Sequence, residues 1–255
     1  MRVTCYTYRH MQAKIVQLIL LAKEKMAASP DRIHDDNHAA RVVTNVIKLG
    51  KNFNLTNEQK EALVLAAWWH DVGRTITSRP SIIIMPFLDD IISAIMLGFY
   101  TVRHGLFGTS SGLAARIICC KSLGTGAILS RLFIKRKDQI LVNILKDADA
   151  LDVLTTERVS LFMELSETSR IYHVGYRTAV WWFTHTKQLN MKTVAARNYM
   201  FELIEVFISW LQSEEILNWQ IENYGWKWIK KNIENIEIIM QRLVYLNSQS
   251  LALTA

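Results

Sequence analysis

The sequence predicts an all-α protein, and three observations lead there. Glycine and proline are scarce, at 10 and 3 of 255 residues. Long stretches are rich in Leu, Ile, Ala, Met, Glu and Lys, which favour helix over turn-rich strand folds. Apolar residues also recur at helical intervals between charged ones. With 50% hydrophobic residues, the chain can bury a full core in one large domain or in one domain with a helical appendix.

Taken in order, the elements begin with an amphipathic helix over Met11 to Met26. Its apolar positions are interrupted by Gln and Lys, and no small-residue cleavage site follows, so it does not read as a signal peptide. SPDRIHDD is a loop: Pro30 restricts its predecessor, and its Asp residues supply N-caps for a helix starting near Asp36 and running to about Gly50. Thr56 and Gln59 form a capping-box pattern ahead of EQKEALVLAAWWHD, a helix that Gly73 is expected to end, with His70 and Asp71 in its last turn. From Ser81 to about Lys121 two apolar helical pieces are separated by HGLFGTSSG. After a break at SLGTG a helix begins near Ala127, and Gln139 to Leu165 reads as one long helix carrying KDADALD. The rest, from about Val194 to Leu246, continues at helical spacing. The expected division is a domain over 11–190 followed by a helical extension over 191–255.

Cys5, Cys119 and Cys120 form neither a disulfide framework nor a zinc-ribbon spacing, which points to a reducing, cytoplasmic location. Ser81 to Gly112 is the most membrane-like stretch. Pro86, the pair Asp89 and Asp90, and then Arg103 and His104 break it, and the uncharged run from Ile91 to Val102 falls short of the ~20 residues that span a bilayer. A net charge of +7 makes polyanions plausible partners, among them phosphorylated metabolites, nucleic acid and anionic lipid.

Three segments carry clustered ionisable groups in otherwise apolar helices: HDDNHAARVV, WWHDVGR and KDADALD. Each is weak alone, and their order is what carries information. His34 lies four residues before His38, so both share a face if the helix starts early. At ~100° per residue, Asp149 falls on the side of Leu141, Leu145 and Ala148, with Asp147 about 160° away from it. Asp152 lies one turn on from Asp149, as an acceptor that could orient a ligand or an arginine.

This order of segments resembles the HD superfamily of metal-dependent phosphohydrolases: a His on one helix, a His-Asp pair ending the next, and an Asp on a later helix. The resemblance covers about Asp31 to Arg158 and rests on HAARV, HDVGR and DADALD. It implies that His38, His70, Asp71 and Asp149 hold a metal, with His34 and Asp147 as competing ligands. Two imidazoles and two carboxylates suit Mn, Fe, Co, Ni, Zn or Mg and leave positions for water and a substrate oxygen. The metal would then provide the nucleophile and the charge stabilisation together. Asp71, His104 and Arg74 are the candidate catalytic residues. Arg74 is placed to grip a phosphate, or equally to complement a helix C-terminus, and Arg41 to make a salt bridge or touch substrate. Members that hydrolyse ppGpp, and the small deoxynucleotidases, carry a Glu three residues after the pair, where this chain has Arg74. The GYP motif of the cyclic-dinucleotide branch is poorly matched by VGYRT at Val174.

The expectation is therefore hydrolysis of a phosphate ester or anhydride in a nucleotide-like substrate, by a protein with no transmembrane segment that could form a homo-oligomer. Two other readings are a non-catalytic module of the same fold with a structural metal, and a nucleic-acid-directed phosphodiesterase. For the latter, Trp219, Trp226 and Trp228 stand near Lys227, Lys230 and Lys231. The plainer reading makes Ile221, Trp228, Ile229, Ile233, Ile236 and Met240 a packing face, and Arg131, Lys135, Arg136 and Lys137 an exposed one.

Overall fold

A nine-residue stretch in which every side chain is buried, Glu61 to Trp69, organises the first half of the molecule. A computed structural model describes residues 11–77, 85–185 and 191–252. Cys5, the start of the apolar segment at Ser81 and the expected boundary at 190 lie outside the described residues. Among these residues there are twelve α-helices and no strand, so the protein is all-α. No helix among them is long and apolar enough to cross a membrane. The chain divides into two compact units, 1–149 and 150–255.

In the first unit, α1 (Ala13–Ala27), α2 (Asp36–Gly50) and α3 (Asn57–Trp69) appear close to where the sequence places them. The capping box at α3 is formed: Gln59 N donates to Thr56 Oγ1 at 3.2 Å, and Thr56 N to Gln59 Oε1 at 3.0 Å. A helix apolar on all sides has to be surrounded, and α1, α2 and α5 (Thr109–Lys121) pack around α3. Trp69 Nε1 donates to the Leu18 carbonyl at 2.9 Å. Glu61, the ionisable member of the buried stretch, accepts from Gln12 N, Gln12 Nε2 and Ser110 Oγ at 2.9 to 3.0 Å. A buried carboxylate is tolerated when its lone pairs are met in this way.

Helix α3 ends at Trp69, before the His70 and Asp71 expected in its last turn, so His70 is its C-cap and Asp71 leads into a 3-10 turn over Val72–Ile76. Onto that turn packs α4 (Met85–Arg103), at a distance only glycine permits. A Cβ on Gly73 would lie 2.6 Å from the Asp89 carbonyl oxygen, and Gly73 N donates to Ser93 Oγ at 2.7 Å. Helix α4 also packs against α5 across the break expected at HGLFGTSSG, where Gly105 takes a positive φ of 62°. Then follow α6 (Gly126–Phe133), a 3-10 turn at Arg136–Asp138 and α7 (Gln139–Asp152).

The expected long helix from Gln139 to Leu165 is corrected to two, α7 and α8 (Thr156–Thr168). Thr155 takes extended backbone, and its Oγ1 donates to the Asp152 carbonyl at 2.7 Å, a side-chain bond that competes with helix continuation. In the second unit, α8 packs on α9 (Arg170–His185). The helices α10 (Val194–Leu211) and α11 (Glu214–Tyr224) pack on each other and on α12 (Trp226–Ala252), which also meets α9. Ile229 and Ile236 are buried and Trp228, Ile233 and Met240 half-buried, as the packing-face reading requires, but Ile221 is exposed. Trp219 and Trp228 contact Tyr176 and Tyr224, ring centres 4.8 to 6.4 Å apart, and Trp226 is exposed.

Candidate metal centre

Hydrogen bonds place His38, His70 and Asp149. Asp35 caps α2 by accepting from His38 N at 2.9 Å, which starts the helix after His34 and puts His38 in its first turn. His70 Nδ1 faces the Ala67 carbonyl at 2.8 Å, where it can act only as donor. The neutral ring therefore carries its lone pair on Nε2, the usual way a metal-ligating imidazole is oriented. Asn45, buried on α2, donates from Nδ2 to the Ala148 carbonyl at 3.0 Å and holds α7 beside α2 at the residue preceding Asp149.

Four donor atoms converge as a result. His38 Nε2 lies 3.2 Å from His70 Nε2, 3.2 Å from Asp71 Oδ2 and 3.4 Å from Asp149 Oδ1. His70 Nε2 lies 3.3 Å from Asp71 Oδ2 and 3.7 Å from Asp149 Oδ1. Ligands about 2.1 Å from one ion at tetrahedral or octahedral angles stand about 3.0–3.4 Å apart; the contacts of His38 and the His70–Asp71 contact fall in that range, and His70 to Asp149 is slightly wider, so the spacing is compatible with a cation. His38, His70 and Asp149 form a group that could hold a metal ion, each offering an atom within 4.8 Å of the others, and Asp71 stands beside the two imidazoles without belonging to that mutual group. Both imidazoles are fully buried, while the Asp149 side chain is 27% exposed, so the group reaches solvent on the α7 side.

The field at this point favours positive charge. Burial resists ionisation of His70, but Asp71 and Asp149 outweigh it and push its pKa up to about 10. Burial likewise opposes ionisation of Asp71 and Asp149. For Asp71 the charges of His70 and His34 prevail, for Asp149 those of Lys121 and His70, and both carboxyls sit well below their ordinary range. Lys121, at the end of α5, binds Asp149 Oδ2 at 3.0 Å and Asp90 Oδ1 at 3.1 Å. One Asp149 oxygen thus serves the lysine and the other faces the imidazoles. Asp90 is pushed up to about 7 by burial, against the pull of Lys121.

Of the residues singled out from sequence, the structure brings together His38, His70, Asp71 and Asp149. His34 borders them, edge-on to the His38 ring at 5.4 Å, with its Nδ1 on Asp31 Oδ2 at 2.8 Å. Arg74 is buried, with Nη1 on Asp31 Oδ2 at 3.0 Å, Nη2 on Asp89 Oδ2 at 2.7 Å and Nε 3.8 Å from Asp71 Oδ1. His104 is exposed at the end of α4 and stacked on Tyr100. Arg41 is half-buried on α2 and Asp147 buried on α7. Asp152 accepts from Arg158 at 3.1 Å, the arginine-orienting arrangement drawn for it. Sequence reasoning missed Asp31, Asp89, Asp90 and Lys121. Asp89 and Asp90 entered only as interruptions of an apolar run; two acids in such a run were the signal that the segment borders a charged site.

No family model, curated protein or solved structure matches the chain.

Proposed function

We propose that His38, His70, Asp71 and Asp149 hold one divalent cation, and that the chain is a metal-dependent phosphohydrolase acting on a nucleotide-like substrate. The observation that carries this reading is that the Nε2 atoms of His38 and His70 lie 3.2 Å apart and each stands 3.2 to 3.7 Å from Asp71 Oδ2 and Asp149 Oδ1. A divalent cation so held supplies Lewis acidity, which activates water and offsets phosphoryl charge. The residues themselves do the positioning. Ala67 fixes the His70 tautomer, Lys121 fixes the Asp149 rotamer, and the exposed edge of Asp149 marks where substrate approaches. Lys121 adds a cation one carboxylate away, and the chain's net charge of +7 draws polyanions.

One observation favours a second reading, a module whose metal is structural: Arg74, the expected phosphate grip, is turned to Asp31 and Asp89. Metal analysis followed by a screen of nucleotides and phosphoesters with Mn, Mg, Co, Ni and Zn separates the two. Phosphate or pyrophosphate release from at least one nucleoside di- or triphosphate is expected, abolished by Asp71→Ala, with little activity on ppGpp. Alanine at His38, His70, Asp71 or Asp149 should remove most bound metal, whereas His34→Ala and Asp147→Asn should retain it. A fully metallated chain inert across the panel supports the module.

A further inference from the structure

Helix α6 is built inside out. Gly126 and Ser130 are its buried residues, while Ile128 and Leu132, one turn apart on one face, are 63% and 70% exposed and Phe133 50%. Its orientation is set by backbone packing: a Cβ on Gly126 would fall 2.5 Å from the Cys120 carbonyl oxygen, so the small-residue side must face inward. The preceding loop adds Leu123, 53% exposed. Ser122 Oγ donates to the Phe87 carbonyl at 3.4 Å, which brings the exposed Phe87 alongside. Aliphatic side chains turned to water reverse the usual amphipathic arrangement and mark an interaction surface.

The charge around this face has one sign. No Asp or Glu occurs from Ser122 to Lys137, and Arg131, Lys135, Arg136 and Lys137 are all exposed. The next acid, Asp138, is buried and accepts from Gln59 Nε2 at 2.8 Å.

We propose that α6 and its flanking loops contact an anionic bilayer, with Ile128, Leu132 and Phe133 entering the headgroup boundary and the four cations meeting lipid phosphates and carboxylates. Apolar insertion combined with basic residues is the composition of an interfacial membrane element, and each Lys or Arg near an anionic surface strengthens binding about fivefold. The charge complementarity selects this occupant over the others. A second copy packed about a two-fold axis would set the same basic cluster against itself. Single-stranded RNA would want flat rings where Ile128 and Leu132 stand. The proposal is independent of the phosphohydrolase reading.

Co-sedimentation of the full chain with phosphatidylcholine vesicles, with and without phosphatidylserine, tests it. Binding is expected to the phosphatidylserine vesicles alone and to fall with added salt. Lys135→Ala and Lys137→Ala should each weaken it about fivefold, and the double variant Ile128→Ser with Leu132→Ser about tenfold or more. The apolar changes fall on exposed positions, so circular dichroism should show an unchanged fold, and Asp71→Ala should bind vesicles like the wild type. Four results overturn the proposal: no vesicle binding, equal binding to neutral vesicles, variants that bind as wild type, or self-association lost in the double variant without any lipid binding.

Discussion

Arg74 is the residue whose surroundings most change its reading. A guanidinium that forks between Asp31 and Asp89 and stands 3.8 Å from Asp71 Oδ1 neutralises a buried acidic pocket behind the centre. Removing one partner of a buried ion pair leaves uncompensated charge and costs about 3–5 kcal/mol. Arg74→Ala is therefore expected to lower stability by about that much in urea melts, and Arg74→Lys to recover little, since an ammonium cannot reproduce the fork. A stable Arg74→Ala chain with lost turnover would instead restore the phosphate-gripping role. Asp31 gives the same pocket a pH signature. Burial resists its ionisation, but the hydrogen bond and charge of His34, then the charge of Arg74, hold its pKa below the carboxylate range. A carboxyl depressed by folding adds stability that is complete above its unfolded value of about 3.9 and is lost as pH falls toward the lower folded value. Asp31→Asn should thus be less stable than wild type at neutral pH, with the gap closing below about pH 4. A gap that persists unchanged in acid would show that Asp31 contributes nothing through its charge.

Among the elements, α4 owes its place to Gly73, and this can be broken with one methyl group. Gly73→Ala puts a Cβ against the Asp89 carbonyl, a backbone atom that moves only if α4 moves. Overpacking of this kind costs about 1–3 kcal/mol, and displacing α4 also pulls Asp89 from Arg74. The expected outcome is a lower melting temperature together with weaker metal retention; a variant that melts like wild type would mean that α4 adjusts without cost. The contrast between α3 and α4 shows what was legible in the sequence. The start of α3 is encoded locally by Thr56 and Gln59, three residues apart, and the cap of α2 by Asp35 and His38, so both could be read from spacing. The contacts from Asp89 to Arg74 and from Lys121 to Asp149 join distant residues; the two acids in the apolar run of α4 mark a charged neighbour, but no local pattern in α4 or α5 names the partner. The break between α7 and α8 was missed for a different reason: Thr155 competes for the Asp152 carbonyl through its side chain, an effect that hydrophobic periodicity does not register. His38, His70, Asp71 and Asp149 could be singled out because their order along the chain, rather than their surroundings, resembled a known pattern.

For the molecule as a whole, His38, His70, Asp71 and Asp149 all belong to the unit 1–149 although α7 runs on to Asp152. A cation that binds only the folded chain stabilises it by mass action, by about 2.7 kcal/mol at a hundredfold excess over Kd. The stabilisation should be felt first where the ligands sit. Hydrogen exchange of the full chain, with and without Mn or Zn, is therefore expected to gain protection in peptides from α2, from the end of α3 and from the first three turns of α7. The C-terminal turn of α5 should follow, because Lys121 is tied to Asp149. His38→Ala and Asp149→Ala should erase the gain; His34→Ala should keep it, since the Asp35 cap that begins α2 at Asp36 does not involve the His34 ring. A metal-dependent gain confined to peptides of 156–252 would place the ion elsewhere and dismiss the four-donor centre, whatever the chain proves to hydrolyse.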